Sequence, residues 1–577
     1  MTADRRRIQK QVAQLLVALV TIFLLVEAVM NITPPTSRDA LIHHLALPKI
    51  WIQHGGIVET PWADFSYYPM HIDLLYFGCL AMGSDTAAKF IHQAFGLGTG
   101  LLLLLFVNRR LGRPWGAMSF AVFATTPVVV WLSTAAYVDL GMAFFTTASL
   151  LALLRWREHG FRRSHWLWLS ALAMGCAAGS KYNALIAWMI VNLLAVFLYV
   201  RHTGRQLKGL GFGLVFFVLA ALAACPWYIR NWALTGNPVY PLFSGLFQAL
   251  GDENITGALG EQLARQKERI GFFQLRRIMY GESVIETLLI PLRMFFQGQD
   301  DSYRYFQGVL NPILILFVPF AFIRRSHLGE KAVLGVFAVV FTTAAFFTTF
   351  QQVRYLLPVL PVLAVLTVMG IAHLAEAVSG LRKRGLRTVT SAVFAAVVAG
   401  LLAFNVLYLK ERFDKIDPVA YLTGKETRHQ YLRRQLLHYP VFEWVNENLP
   451  PDARVYTLFL GRRGYYLDRT YRNDPSFGRG RLSAMVAAAA DEQRFQQVVD
   501  DLAATHLVVR LDLWNRYLQD NFSRDEIRRF GSRFAKSFAP VYDRGGYAVF
   551  EKRPEAQTAE PTSGAVQTGF SPRPGTC

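Results

Sequence analysis

Apolar residues in this chain fall into repeated blocks of roughly 17–25, the length that crosses a bilayer core of about 30 Å as a helix. Inside lipid every backbone polar group must be satisfied within its own segment, so such blocks fold as helices. Of the 577 residues, 53% are hydrophobic and only 17% are charged, whereas an ordinary soluble chain carries about a quarter charged residues. The sequence describes an α-helical polytopic membrane protein. The net charge of +20 does not point to nucleic acid, because the arginines and lysines gather in short gaps between apolar blocks. These gaps are Arg5-Arg6-Arg7, Arg109-Arg110, Arg155 to Arg163, Arg201 to Lys208, Arg324-Arg325 and Arg382 to Arg387. Such placement is what the positive-inside rule asks of cytoplasmic loops. No nucleic-acid partner is expected.

Taking those clusters as cytoplasmic gives a path of about eleven transmembrane helices. The first block, 12–30, follows a basic start but is long and lacks a small-x-small cleavage site, so it is a retained anchor. It runs outward into an outer loop at 31–85. Helices at 86–107, 115–133, 139–156, 166–180, 182–200 and 208–226 lead to a second outer loop, 227–304. Helices at 305–323, 331–349, 355–376 and 388–409 complete the path. Residues 1–409 thus form the transmembrane domain, with the N-terminus cytoplasmic. Residues 410–553 are polar and mixed in charge. Strand-like runs at 455–460 and 506–510 alternate there with helical stretches at 486–503 and 524–536, predicting a small α/β domain on the outer side. Residues 554–577, rich in Pro, Ser, Thr and Gly, read as a disordered tail. Cys79, Cys176, Cys225 and Cys577 show no paired spacing, which argues against a disulfide framework or a cysteine metal site.

This path sorts the ionisable residues by side. Asp39, His43, His44, Asp139, Lys181, Arg230 and Arg354 come from distant parts of the sequence and fall on the outer side, near helix ends. Ionisable groups at one membrane depth mark a functional site by default. Asp39 and His43 are four apart, on one helical face. A carboxylate there suits deprotonation of a hydroxyl or ligation of a metal, and equally a helix N-cap. Asp139, directly before an apolar run, has the same two readings. Lys181 suits a point charge for phosphate or an interfacial snorkelling lysine. Arg230, in Pro226-Trp227-Tyr228-Ile229-Arg230-Asn231-Trp232, suits either an interfacial anchor or a forked phosphate contact. Arg354 adds a second such guanidinium. His71 and Asp73 near His43-His44 leave a divalent cation open as cofactor. P-loop, HExxH, Rossmann and GxSxG patterns are all missing from the sequence.

The layout resembles the GT-C superfamily of integral membrane glycosyltransferases, in the branch of the protein O-mannosyltransferases and the lipid A aminoarabinose transferase. Four elements carry the resemblance: the first loop Arg38-Asp39 through Pro48-Lys49, Tyr137-Val138-Asp139-Leu140, Pro226-Trp227-Tyr228-Ile229-Arg230-Asn231 with Gly236-Asn237-Pro238, and Arg354-Tyr355-Leu356-Leu357-Pro358. It implies an enzyme of the bacterial inner membrane that takes a sugar from a polyprenyl-phosphate donor to a lipid, glycan or protein acceptor at the periplasmic face. It would make Asp39 the general base of an inverting displacement and Asp139 a second acid of the site. His43, His44, Lys181, Arg230 and Arg354 would bind substrate, the cations facing the departing phosphate. Ala40 stands where several relatives have a second acidic residue, which puts metal dependence in doubt. The competing class is a transporter or flippase of lipid-linked sugars, which would place charges near mid-helix and show repeat symmetry.

Overall fold

Most apolar stretches become long helices, one of them with Pro226 inside it, whereas others break at prolines. The computed structural model describes residues 3–244, 247, 272–349, 351–474, 476 and 478–554. Seven helices among them are long and apolar enough to cross a membrane: Arg7–Asn31, Thr86–Leu111, Ala184–Thr203, Gln206–Thr235, Leu328–Thr348, Val353–Ser379 and Arg384–Ile416. The segments Arg113–Ala124 and Pro127–Ser133 make an eighth candidate, bent by 68°. Pro127 causes the bend. It has no N–H to continue the ladder, and it pushes Thr126 to an extended ψ of 131°.

The expected eleven helices therefore come down to seven or eight by length and composition. Asp139–Glu158 begins with an acid and ends with Arg155, Arg157 and Glu158, so its apolar stretch is short. His165–Ala178 has 14 residues. The stretch 305–323 breaks at Pro312 and Pro319 into the short helices Ile313–Leu316 and Val318–Ala321.

The chain divides into two compact units. The first takes in the helices above and runs to Gln435; the second begins at Leu436 and includes Pro61–Ala63. The division lies at 435/436, and the last long helix continues to Ile416. The tail expected after residue 554 and the part of the second outer loop at 248–271 lie outside the described residues.

Within the first unit the helix Leu360–Ser379 forms a buried axis, with every residue from Leu360 to His373 shielded. Glycines set the closest approaches to it and around it. A Cβ on Gly370 would lie 1.9 Å from the Phe317 carbonyl oxygen, and one on Gly175 would lie 2.4 Å from that of Ala220. Small residues at such crossings bring backbones together and gain dispersion contacts that larger side chains would prevent. The first loop folds into a π-turn Ala40–His44, a helix Ala46–Gln53, a 3₁₀ turn Asp64–Tyr67 and a helix His71–Ala81.

The second unit holds a five-stranded mixed sheet. Strands β1 (Arg454–Leu458), β2 (Thr470–Asn473), β3 (His506–Arg510), β4 (Phe538–Arg544) and β5 (Tyr547–Lys552) lie in the order β2-β1-β3-β5-β4. β1 is parallel to β2 and β3, while β5 is antiparallel to β3 and β4. Leu482, Met485, Phe495, Trp514, Phe530 and Phe534 pack with sheet residues into its core. The helix expected over 486–503 is two, Arg479–Ala488 and Glu492–Asp500, because Asp491 caps the second by accepting from the Arg494 N–H.

Replacing Gly370 by alanine forces its helix off Phe317 and lowers stability by about 1–3 kcal/mol. A thermal unfolding midpoint unchanged in detergent would contradict this packing.

Candidate functional site

The site is built from short segments, distant in sequence, that bring polar groups to the same place. The first is the π-turn. The Leu45 N–H donates to the Ala40 carbonyl at 2.9 Å, five residues back, and this wider turn sets Asp39, His43 and His44 close together. Such single π-turns recur at functional sites. The rings of His43 and His44 have centroids 3.9 Å apart, and His43 stacks on Phe65 at 4.4 Å. The Asp39 N–H donates to the Tyr137 hydroxyl at 3.2 Å.

The second segment is the 3₁₀ turn Val353–Val359, which carries Arg354. Its guanidinium donates through Nη1 to Asp39 Oδ2 and through Nε to Gln352 Oε1, the latter at 3.0 Å. It also lies 5.5 Å from the ring centroid of Tyr137 and 5.3 Å from that of Tyr355, in cation–π range.

The third segment starts the Asp139–Glu158 helix. Asp139 is fully buried; its Oδ1 accepts from Lys181 Nζ at 2.6 Å, and its Oδ2 has no partner among the described residues. Lys181, at the turn after His165–Ala178, also lies 5.4 Å from the Tyr355 ring. That turn tolerates no side chain at Gly179, where a Cβ would meet the His71 imidazole at 2.0 Å.

The fourth segment is the helix His71–Ala81. Asp73, 1% exposed, accepts from or donates to His44 Nδ1 at 2.7 Å. Tyr76, one turn on, donates its hydroxyl to the Tyr137 carbonyl and so steadies the loop before Asp139.

The capping readings of the two acids fail. Neither Asp39 nor Asp139 makes a side-chain cap bond. His92 serves the Asp139 helix instead. Its Nε2 accepts the Leu140 N–H at 2.9 Å, so its Nδ1 carries the proton shared between the Leu132 and Ala135 carbonyls at 2.8 Å. That satisfies a free N–H of the first turn and leaves the Asp139 carboxylate to Lys181.

Electrostatics follow from burial and pairing. Burial alone would raise the Asp39 carboxyl, but the Arg354 guanidinium and then His43 outweigh it and hold Asp39 well below the usual carboxylate range. Burial lowers His43, with His44 adding to the effect. Burial brings His44 down to about 3 and raises Asp73 to about 7. The charge on His44 also feels Asp39, Lys181, Asp139 and Arg354, which marks all of them as one cluster.

Of the seven residues picked from the sequence, six gather here and Arg230 does not. Arg230 Nη1 donates to the Ser66 carbonyl at 2.9 Å and its guanidinium faces Tyr67 at 5.9 Å. Beside it, Tyr182 donates to the Tyr240 carbonyl at 2.7 Å and receives from Asn231 Nδ2 at 3.0 Å. Arg230 thus fastens the turn Asp64–Tyr67 in the middle of the first loop. Asp73 as a partner of His44, and His92 and Tyr76 as supports, went unrecognised, since each sits within an apolar helix and has no local motif. Among the described residues no group of three His, Cys, Asp or Glu side chains is placed to hold a metal. Asp39 and Asp139 are paired with Arg354 and Lys181, and Asp73 is bonded to His44.

Removing Lys181 strands a buried carboxylate. Lys181→Met should cost about 3–5 kcal/mol, and adding Asp139→Asn should recover much of it. A double variant no more stable than Lys181→Met would contradict this coupling.

Residues 74–234 match the family model of the dolichyl-phosphate-mannose-protein mannosyltransferases. None of the curated protein sequences compared with the chain matches it. Among solved structures, ArnT from Cupriavidus metallidurans bound to undecaprenyl phosphate aligns at a TM-score of 0.55 and 15% identity, over 95% of this chain and 98% of that one. Its apo form gives the same score and identity over 94% and 98%. The oligosaccharyltransferase AglB from Archaeoglobus fulgidus, in complex with an inhibitory peptide and a dolichol-phosphate, aligns more loosely, at 0.49 and 14% over 95% and 75%. The stretch that matches the family model holds Asp139 and Lys181 of the cluster, and the fold over nearly the whole chain is similar to that of ArnT.

Proposed function

We propose that this protein transfers a sugar from a polyprenyl-phosphate donor to a lipid, glycan or protein acceptor at the periplasmic face of a bacterial inner membrane. One observation carries the reading: two carboxylates and two cations, drawn from distant segments, meet in a single part-buried cluster as the pairs Asp39–Arg354 and Asp139–Lys181. Support comes from the shared fold with ArnT, whose structure holds undecaprenyl phosphate. In this reading the segments 139–158, 165–178 and 305–323 also cross the membrane. That restores the eleven-helix path, with the N-terminus cytoplasmic and the C-terminal unit outside.

The chemistry is an inverting displacement at the anomeric carbon. The acceptor oxygen attacks, the bond from that carbon to the phosphate oxygen breaks, and the polyprenyl phosphate leaves with the electron pair. Arg354 and Lys181 offset the charge that develops on it; Arg354 presents a planar fork and Lys181 a point charge. Asp39 accepts the proton of the acceptor hydroxyl. In the resting cluster Arg354 is committed to Asp39. A donor phosphate that draws the guanidinium toward itself therefore also releases the carboxylate, so the base gains basicity as the donor binds. Asp139 keeps Lys181 in place at the turn beside Tyr355.

The test is transfer of a labelled sugar from purified polyprenyl-phosphate sugars in proteoliposomes. Asp39→Asn should lower the turnover by about 10²–10⁴-fold while the protein stays folded. Undiminished transfer by that variant would remove Asp39 as the base.

A further inference from the structure

A cavity of about 310 Å³ opens at the far end of the helix that begins with Asp139. It is lined by Leu154, Arg157, Glu158, His327, Gly329 and Glu330. The helix Asp139–Glu158 has 20 residues, so at 1.5 Å per residue about 30 Å separates the cavity from the Asp139–Lys181 pair. The facing wall is the start of the helix Leu328–Thr348. The displacement chemistry uses neither helix at this end.

Both carboxylates of the cavity are held by arginines behind them. Arg110 donates through Nε and Nη2 to the two oxygens of Glu330, and through Nη2 to Glu158 Oε1. Arg155 Nη1 donates to Glu158 Oε2. His327 Nδ1 lies 3.7 Å from Glu330 Oε2. Arg157 is left over: it has neither a hydrogen bond nor an ion pair among the described residues. Arg110, Arg155 and Arg157 thus outnumber Glu158 and Glu330, and the surplus positive charge sits on the arginine that lines the cavity. Its guanidinium rests over the backbone of Gly329, where a Cβ would lie 2.0 Å from Nη2 and 2.7 Å from Nη1. The missing side chain at Gly329 is what gives the guanidinium its place.

We propose that this cavity binds a phosphate, gripped by the forked N–H groups of Arg157. His327, on the facing wall, adds an N–H donor. Arg110 and Arg155 offset the repulsion that Glu158 and Glu330 would otherwise exert on the anion. Two sources carry this chemistry, the headgroup of an anionic phospholipid and free inorganic phosphate. Location favours the headgroup. The arginines here belong to the clusters Arg109-Arg110 and Arg155 to Arg163, which the positive-inside rule assigns to the cytoplasmic leaflet, and basic pockets between helices at that level take lipid headgroups. The phosphate site does not rest on sugar transfer, and its test uses no sugar donor.

The experiment titrates the purified full-length protein in neutral detergent with acyl-labelled phosphatidylglycerol, read by fluorescence anisotropy. A second arm adds inorganic phosphate and reads the thermal unfolding midpoint. Wild type is compared with Arg157→Gln, Gly329→Ala and Arg163→Gln. Arg163 is exposed and does not line the cavity, so its loss removes the same charge from the same end of the molecule. Alanine at 329 displaces a flexible side-chain tip and keeps the charge. Phosphatidylglycerol should bind Arg157→Gln and Gly329→Ala about tenfold more weakly than wild type, and Arg163→Gln equally well. Lipid binding that ignores Arg157, with a midpoint gain from inorganic phosphate that Arg157→Gln abolishes, keeps the site and makes the free ion its occupant. Wild type that binds neither, or Arg157→Gln that matches wild type with both, overturns the site. Arg163→Gln that weakens binding as much as Arg157→Gln also overturns it, because the effect would then be diffuse surface charge. Should Arg157→Gln fail to fold, Gly329→Ala decides alone, and binding as tight as wild type overturns the site.

Discussion

Everything at the site depends on keeping charges out of water in pairs. Removing a carboxylate or a guanidinium from water costs several kcal/mol each, and a lone buried charge is seldom tolerated. Asp139 is fully buried and bonded to Lys181, and Asp39 is paired with Arg354. The supporting structure exists to make those pairings geometrically possible. The π-turn presents Asp39, Tyr137 holds its backbone, and His92 takes over the cap that Asp139 would otherwise supply. The absence of a side chain at Gly179 lets His71 sit against the turn that carries Lys181.

Much of this was legible in the sequence through sidedness alone. Arginine and lysine clusters oriented the apolar blocks, and that orientation put Asp39, Asp139, Lys181 and Arg354 on one face before any contact was known. Sidedness says nothing about lateral position, which is why Arg230 was grouped with them although it hydrogen-bonds the middle of the first loop. Partner choice was equally hidden. Lys181 and Arg354 looked like free cations for a phosphate, yet each already holds a carboxylate. Asp73 sits in the first turn of an apolar helix, and only the fold reveals that it meets His44. Apolar blocks interrupted by Pro312 and Pro319 read as one helix by composition and fold as two short ones. In the second unit, β1 and β3 announced themselves as apolar runs, whereas β2, Thr470–Asn473, is short and polar and is recruited by pairing with β1.

The paired arrangement shapes the chemistry proposed for the cluster. A site with free cations would bind a lipid phosphate without rearrangement. In the proposed reaction a phosphate competes with Asp39 for Arg354, and its success would convert a quiet carboxylate into a base. Binding and activation become one event, so the base is strong only when there is a leaving group to depart.

That exchange is open to a direct measurement: the affinity of the purified protein for undecaprenyl phosphate, compared between wild type and Asp39→Asn. If Asp39 and phosphate compete for Arg354, neutralising Asp39 frees the guanidinium and the variant binds undecaprenyl phosphate more tightly than wild type. Equal or weaker binding by a folded variant would contradict the account.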